Sequence, residues 1–213
     1  MPNSDRVVLA LGGAGTVGSG VVKALLDRGS EEGAEEAKRA LLGATAGHVT
    51  DVVSSLGFSW WQRGPPHTQS LEELERVLGS LVLSTFVSWK TFFPLVRDNP
   101  GSTYTFITGG AGDKLLMPGT GFLTVGAAGA LGLCQALREE YPDTPCKINQ
   151  VKINTGVSSP GRSAPGYLDQ MDLGSAVASL VERGADPNPA PAHSVYTLNG
   201  PDDLRGVLTA DGV

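Results

Sequence analysis

Three glycines near the start of the chain constrain its fold more than any other feature. Gly12, Gly15 and Gly18 follow the short apolar run 6–11 and open the stretch 16–29, whose apolar residues recur at helical spacing. In a strand–turn–helix unit, the first glycine permits a tight turn, the next lets the backbone approach a phosphate, and the last allows close helix–strand packing. The spacing therefore predicts a nucleotide-binding turn. The alternative is a glycine-rich turn that binds nothing.

The rest of the chain alternates apolar runs with helical patterns. Further strands are predicted at 48–57, 102–112, 146–154 and 194–200, and helices at 31–45, 70–96, 121–142 and 172–184. Ser70, with Glu73 three residues later, is typical of a capping box at a helix start. The alternation predicts an α/β fold: a Rossmann-like, doubly wound parallel sheet in three layers, forming a single domain over 1–213.

Charge and composition exclude several functions. The net charge is −6 and no basic run occurs, which disfavours nucleic acid and anionic membranes as partners. No apolar run approaches the ~20 residues of a membrane span. Cys134 and Cys146 fall in apolar patterns and are predicted to be buried free thiols, which implies a reducing compartment. The histidines match no metal spacing. We expect a cytoplasmic protein without a metal.

Several local patterns together resemble the short-chain dehydrogenase/reductase superfamily. "GGAGTVGSGVVKALLDRG" (12–29) is similar to its first strand–turn–helix unit, and "DVVSSLG" (51–57) to the strand that ends in its Asn-Asn-Ala-Gly signature. "STFVSWKTFFPLV" (84–96) resembles its fourth helix, "ALGLCQALREEY" (130–141) its active-site helix, and "HSVYTLNG" (193–200) its last strand. The resemblance implies NADP(H) as cofactor and a homo-oligomer built through the helices near 71–97 and 121–141.

The same resemblance assigns a set of cofactor-binding residues. They lie in the first turn and directly after two strands: Gly12, Gly15, Thr16, Val17, Gly18, Ser55, Leu56, Gly57, Asn154 and Thr155. In open α/β sheets ligands bind at the carboxyl ends of the strands, where these loops are expected to meet.

One segment of the family pattern is missing between Gly29 and Ser30. The second strand, second helix and third strand of the superfamily should lie there, about 50 residues judged from the size of a βαβ unit. Either the protein lacks them, or the sequence omits a segment that the protein contains. We favour the second explanation, because a sheet without two interior strands leaves apolar surface uncovered. It predicts that the Cα atoms of Gly29 and Ser30 are further apart than the ~3.8 Å of bonded neighbours.

The catalytic tetrad of the superfamily, Asn, Ser, Tyr and Lys, has no counterpart at the matching positions. The local matches place these four residues at Leu81, Gly110, Leu123 and Ala127. Ordinary carbonyl reduction therefore lacks its general acid. An iminium carbon is already electrophilic and needs no proton, so reduction of a C=N⁺ group stays open. A catalytically inactive nucleotide sensor is the alternative.

Charged residues after the strands are the candidates for catalysis. Asp113 is expected to stabilise positive charge on a bound ligand or to move a proton, or to be a turn residue that binds local N–H groups. Arg63 is expected to pair with Asp113 or with a substrate carbonyl, and Arg162 is a weaker candidate of the same kind. We expect Asp113 to face a cleft lined by the loops 55–63 and 109–122.

Aromatic and apolar residues of the same loops are the candidates for substrate binding. The adjacent Trp60 and Trp61 indicate a flat, apolar or cationic ligand, or a loop packed onto the core. Leu115, Met117 and Phe122 complete the predicted substrate-binding set.

Within the superfamily, the missing tetrad, the Trp-Trp loop and the Asp after the fifth strand resemble the fungal reductase/Diels–Alderases of malbrancheamide- and paraherquamide-type indole alkaloid biosynthesis. This implies NADPH-dependent iminium reduction, stereoselective intramolecular 4+2 cyclisation of an azadiene, or both, on a small indole alkaloid substrate. The alternatives are an inactive NADP-binding sensor or scaffold, and an imine reductase without cyclase activity.

Overall fold

The computed structural model describes residues 6–12, 31–158, 164–185 and 193–209. Its strands are β1 Val8–Leu11, β2 Asp51–Ser54, β3 Thr103–Gly109, β4 Lys147–Ile153, β5 Val157–Ser158, β6 Leu168–Asp169 and β7 Val195–Leu198. Its helices are α1 Glu31–Ala44, α2 Leu71–Leu95, α3 Gly121–Glu140, α4 Gln170–Glu182 and α5 Pro201–Thr209.

The main sheet has five parallel strands in the order β1-β2-β3-β4-β7, and β5 pairs with β6 in a separate two-stranded sheet. Because the five strands run in one direction, their carboxyl ends meet at one edge, where the loops after β2, β3 and β4 begin. Helices flank the sheet, so the predicted Rossmann-like α/β fold is confirmed.

The two faces of the sheet carry separate apolar cores. On one face an aromatic cluster joins α2 to the strands, with Trp89 stacked on Phe93 at 3.7 Å between ring centroids and Tyr104 edge-on to Trp89 at 4.9 Å. On the other face Val151 and Leu198 pack with residues of α4 and α5. Because both faces are covered, the apolar residues of β3 and β4 alternate between the two cores, and polar residues such as Asn149 and Gln150 are buried beside them.

The two cysteines are buried and free, as predicted. Burial away from water raises the pKa of Cys134 and of Cys146 to about 12 each. Both thiols are therefore protonated at neutral pH and behave as small core residues.

Strand β1 lies at one end of the sheet, and its pairing corrects one sequence-based expectation. The sequence runs directly from Gly29 to Ser30, so the explanation of an omitted segment is wrong. Among the described residues β1 pairs with β2 alone, and Val8 is 45% exposed. A four-residue strand offers little open edge, which is why the sheet tolerates the loss. The Gly29–Ser30 junction, like the predicted helix 16–29, lies outside the described residues.

A buried ion pair holds the start of β1 against β2, at the end of the sheet opposite the carboxyl edge. Arg6 donates from Nη2 to Oδ1 of Asp51 at 2.6 Å and from Nε to Oδ2 at 3.0 Å. Asp51 is fully buried and also accepts from the backbone N–H and the hydroxyl of Thr103, both at 2.9 Å. Arg6 Nη2 also donates to the Gly101 carbonyl at 2.8 Å. These bonds link β1, β2 and β3 at their amino ends.

Helix α2 begins as predicted but contains an unpredicted turn. The Ser70 hydroxyl accepts from the Glu73 N–H at 3.1 Å, which confirms the N-terminal cap. Residues Gly79–Leu83 form a π-helical turn within the helix, a feature found most often at functional sites. Apolar spacing did not predict it, because this stretch carries apolar residues on more than one face of the helix.

Two of the described helices, α2 and α3, are long and apolar enough to cross a membrane by length and composition alone. Half of the apolar window of α2 is buried inside the fold, where Trp89, Phe92 and Phe93 belong to the core. Core helices of soluble proteins pass the same test, so the two helices are weak support for a membrane protein. The expected absence of a membrane span stays a prediction.

Candidate functional site

Gly12 ends β1 in a turn that only glycine tolerates. Its φ is +74°, and a Cβ built on it lies 2.2 Å from the carbonyl oxygen of Ser55 and 3.3 Å from Leu56 Cδ2. The Ser55 N–H also donates to the Leu11 carbonyl at 2.9 Å. The structure thus brings together the predicted cofactor residues after β1 and β2. Those at 15–18, Gly15, Thr16, Val17 and Gly18, lie outside the described residues.

The predicted cofactor residues after β4 are engaged in local hydrogen bonds. Asn154 donates from Nδ2 to Asn199 Oδ1 at 2.9 Å, and the Thr155 hydroxyl donates to the Gly166 carbonyl at 2.9 Å. A Cβ built on Gly110 lies 2.3 Å from Asn154 Oδ1. The Asn154 amide therefore occupies the space that a serine side chain at position 110 would need.

The positions matched to the tetrad Asn and Tyr lie in a third apolar cluster. Leu81, within the π-helical turn, and Leu123, on α3, are 6% and 7% exposed and pack with Val77 and Phe122. A Cβ built on Gly126 lies 2.7 Å from Leu81 Cδ1, so the two helices are in close contact. Phe122, predicted to bind substrate, is 7% exposed and belongs to this core.

Ala127, the position matched to the tetrad Lys, faces a turn of the chain. A Cβ built on Gly112, in the 3₁₀ turn Gly110–Gly112, lies 2.8 Å from the carbonyl carbon of Ala127 and 2.7 Å from the Ala128 nitrogen. This turn therefore packs directly on the backbone of α3 at Ala127 and Ala128.

The adjacent tryptophans have different environments. Trp60 is half-buried, donates from Nε1 to Glu73 Oε1 at 2.9 Å and has the Arg76 guanidinium 4.0 Å from its ring centroid. Trp61 is 57% exposed and donates from Nε1 to the Pro118 carbonyl at 3.2 Å. Trp60 is thus fixed against α2, and Trp61 presents its ring at the surface beside the loop 109–122.

Gln62, which the sequence reasoning missed, joins the two predicted site loops. It is 4% exposed; its N–H donates to the Gly119 carbonyl at 2.7 Å, and its Oε1 accepts from the Phe122 N–H at the start of α3 at 2.8 Å. Its Nε2 donates to the Gly64 carbonyl at 3.1 Å. A buried amide in a polar loop carries no periodic signal, so sequence alone could not reveal it.

Asp113 forms an ion pair that was not predicted. Its Oδ2 lies 2.5 Å from Nζ of Lys152, the penultimate residue of β4; the two side chains are 44% and 19% exposed. The expected pair with Arg63 does not form among the described residues, and Arg63 is exposed with φ +66°. Since β4 and β2 lie on opposite sides of β3, Asp113 leans away from the loop after β2 that carries Arg63. Arg162 lies outside the described residues.

Apolar side chains follow Asp113 at the surface. Leu115, Leu116 and Met117 are 54%, 53% and 57% exposed, and Trp61 contacts the same loop at Pro118. Small-molecule sites combine apolar walls with a few placed polar groups, and this edge offers both. In the described part of the chain, no three His, Cys, Asp or Glu side chains are grouped to hold a metal ion.

No family model and no curated protein matches this chain by sequence. Solved structures match its fold. "ElxO with NADP Bound" has a TM-score of 0.69 and 16% identity over 96% of this chain and 99% of that chain. A double variant of a short-chain dehydrogenase/reductase from Serratia marcescens has a TM-score of 0.67 and 16% identity, covering 92% and 97%. A short-chain dehydrogenase from Burkholderia cenocepacia J2315 in complex with NADP has a TM-score of 0.65 and 15% identity, covering 92% and 86%. At these identities the similarity shows the fold alone: the Rossmann-like α/β fold of short-chain dehydrogenases/reductases.

Proposed function

We propose that this chain is an NADP(H)-dependent reductase of the short-chain dehydrogenase/reductase type. The observation that carries the proposal is the carboxyl edge of the sheet, where the left-handed turn at Gly12 abuts Ser55 and Leu56. Such a turn lets backbone N–H groups approach a pyrophosphate. Two of the solved structures that share the fold contain NADP.

The described residues fit one half of the cofactor better than the other. Gly12, Ser55, Leu56 and Gly57 would hold the pyrophosphate side, and Asn154 and Thr155 follow β4 at the same edge. When bound, the cofactor supplies a hydride. Beyond β1 the described residues form no further strand, so none of the described strand ends is placed to contact the adenosine ribose.

This asymmetry predicts that the adenosine half contributes little to affinity. Reduced nicotinamide mononucleotide should bind within about tenfold of NADPH, and NADH within about threefold of NADPH, since a tenfold difference corresponds to only ~1.4 kcal/mol. Isothermal titration of the three ligands into the full chain measures this. An NADPH affinity a hundredfold above that of the mononucleotide would show that an adenosine site exists.

The reaction that suits the site is reduction of a carbon that is already electrophilic. Leu81 and Leu123 are buried among apolar side chains, and neither they nor Gly110 and Ala127 carry a proton donor. A ketone needs a proton on oxygen as hydride arrives, whereas an iminium ion does not. We therefore assign cyclic iminium ions as the substrate class.

The finer assignment is that of the fungal reductase/Diels–Alderases that the sequence resembles. In it, reduction of a cyclic iminium dipeptide gives an azadiene, and the site then orients the azadiene for intramolecular 4+2 cyclisation. Catalysis of that step requires apolar side chains that hold the azadiene in one orientation. The exposed Trp61, Leu115 and Met117 support this assignment.

The proposal predicts opposite outcomes for iminium and carbonyl substrates. An indole-bearing cyclic iminium should be reduced by NADPH above the rate without protein, whereas simple ketones and secondary alcohols should show background turnover for lack of a general acid. Oxidation of NADPH, followed with product analysis, measures both. Robust turnover of a secondary alcohol would contradict the missing tetrad.

A sensor or scaffold without chemistry is the second candidate, and one observation favours it. Leu81, Leu123, Val77 and Phe122 fill the region of the tetrad positions with packed apolar side chains. A sensor binds the cofactor and transfers no hydride to any iminium. An imine reductase without cyclase activity would transfer hydride and leave product stereochemistry to the uncatalysed reaction.

A homo-oligomer through α2 and α3 remains a prediction, as does the cytoplasmic location. Leu83, Phe86 and Val125 on these helices are 60%, 43% and 51% exposed, and exposed apolar side chains on neighbouring helices favour a protein contact.

A further inference from the structure

The Asp113–Lys152 pair is placed where a ligand can reach it. Lys152 is the penultimate residue of β4 and Asp113 follows β3 within four residues, so both side chains lie at the carboxyl edge where open α/β sheets bind ligands. Asp113 keeps 44% and Lys152 19% of its side chain exposed. The pair is therefore neither part of the apolar core nor a fully solvated surface contact.

Each member of the pair has hydrogen-bonding capacity left over. Oδ2 of Asp113 is engaged by Lys152 Nζ at 2.5 Å. Within the described residues neither side chain has another partner, so Oδ1 remains an acceptor. A lysine ammonium has three N–H donors and no acceptor, so further N–H groups remain beside it.

An acceptor beside a donor can bind a ligand group that carries a donor and an acceptor side by side. We propose that Asp113 and Lys152 together bind the secondary cis-amide of a lactam or cyclic dipeptide. The Asp113 carboxylate accepts from the amide N–H while the Lys152 ammonium donates to the amide oxygen. A cis-amide presents these two groups side by side, about 2.2 Å apart from standard bond lengths.

The charges around the pair agree with a neutral group of the ligand at this position. Asp113 and Lys152 cancel each other, so neither a cation nor an anion meets an unopposed charge. Lys114 is exposed beside Asp113, and Arg138 donates to Gln150 deeper on the same face of β4. The apolar side chains that follow Asp113, Leu115 to Met117, supply contacts for the rest of a ring system.

This inference rests on the proposed function, because it names the group by which the substrate is held. It is tested by binding alone, without cofactor. The probe is cyclo(Trp-Pro), an indole-bearing cyclic dipeptide with one secondary cis-amide, compared by titration calorimetry with its analogue methylated at that nitrogen. The full chain should bind the cyclic dipeptide at least about tenfold more tightly than the methylated analogue, as expected for one hydrogen bond to a charged group.

Variants of the pair assign the contacts. Lys152→Met and Asp113→Ala should each weaken cyclo(Trp-Pro) about tenfold or more, while Lys152→Arg, which keeps the donors, stays within threefold of the parent. Asp113→Ala should leave the affinity for the methylated analogue unchanged. Lys114→Met is the matched control: it removes an exposed charge next to Asp113 and should change affinity less than twofold.

Other outcomes overturn the inference. The first is no measurable binding of the cyclic dipeptide, and the second is equal affinity for the methylated analogue. The third is tighter binding of tryptamine to Lys152→Met with no change in the affinity for the lactam; this result would indicate a cation site. Tighter binding of indole-3-propionate to Asp113→Ala, again with the lactam unaffected, would indicate an anion site. These affinities stand whether or not an iminium is reduced, so failure of the lactam contact is distinguishable from failure of the proposed reaction.

Discussion

Replacing Asp51 with alanine is expected to lower the free energy of unfolding by about 3–5 kcal/mol, because the change leaves a buried charge without its partner. Arg6 is 10% exposed in its side chain, and Asp51 is fully buried. The variant also leaves the Thr103 N–H and hydroxyl without their acceptor, since both donate to Asp51 at 2.9 Å. Urea unfolding of the two proteins measures the difference.

The surface pair Arg97–Asp98 provides the control for that variant. Its side chains are 51% and 78% exposed, and exposed pairs contribute at most about 1 kcal/mol. Asp98→Ala should therefore shift the unfolding midpoint only slightly. Equal effects of the two alanine variants would mean that the Arg6–Asp51 pair does not anchor β1.

Gly12→Ala is the second change with a large expected effect, a loss of about 2–5 kcal/mol in unfolding free energy. A left-handed conformation costs a non-glycine residue about 1–2 kcal/mol, and overpacking costs about 1–3 kcal/mol. The new Cβ meets the Ser55 carbonyl oxygen at 2.2 Å, and a backbone atom cannot rotate away. The same shift displaces the ends of β1 and β2, so NADPH affinity should fall with stability.

Substitutions at two other glycines separate the cost of the left-handed backbone from the cost of the steric clash at Gly12. Gly47 has φ +81° with nothing within 4 Å of its Cβ position, so Gly47→Ala should show the left-handed cost alone. Gly43 lies in α1 with open space around it, and Gly43→Ala should be neutral or stabilising by up to about 1 kcal/mol. If Gly12→Ala costs no more than Gly47→Ala, the contact between the β1 turn and Ser55 is not tight.

Apolar periodicity was sufficient to predict the sheet. The runs at 102–112 and 146–154 became β3 and β4, whose apolar residues alternate between two covered faces: Tyr104, Phe106 and Ile148 belong to one core, and Ile107, Val151 and Ile153 to the other. The short elements β5, β6 and α5 were missed. They contain few residues and are stabilised by tertiary contacts, such as Leu168 and Leu204 in the core beneath α4.

The site was harder to predict than the fold, because its contacts join residues distant in sequence. The sequence of the strand that contains Lys152 does not show which loop the lysine meets, and its partner Asp113 is known only once β3 and β4 are aligned. Gln62 accepts a hydrogen bond from the Phe122 N–H, and Asn154 packs against Gly110; no spacing rule reveals either contact. The roles given to Arg63 and Trp61 remain predictions.

The error at Gly29–Ser30 has a physical cause. In the superfamily pattern β1 is an interior strand, whose open side would leave apolar surface uncovered. In the structure β1 is short and its burial alternates between exposed and intermediate, which is the pattern of an edge strand.

Hydride transfer from NADPH to an iminium carbon is the reaction proposed for this protein, and isotope labelling detects it. The full chain is incubated with NADPH carrying deuterium on the transferred position and with an indole-bearing cyclic iminium, and the product is analysed by mass spectrometry. We expect one deuterium on the former iminium carbon, above the level formed without protein. Measurable binding of NADPH without any protein-dependent deuterium in the product would contradict the reductase assignment and leave the sensor.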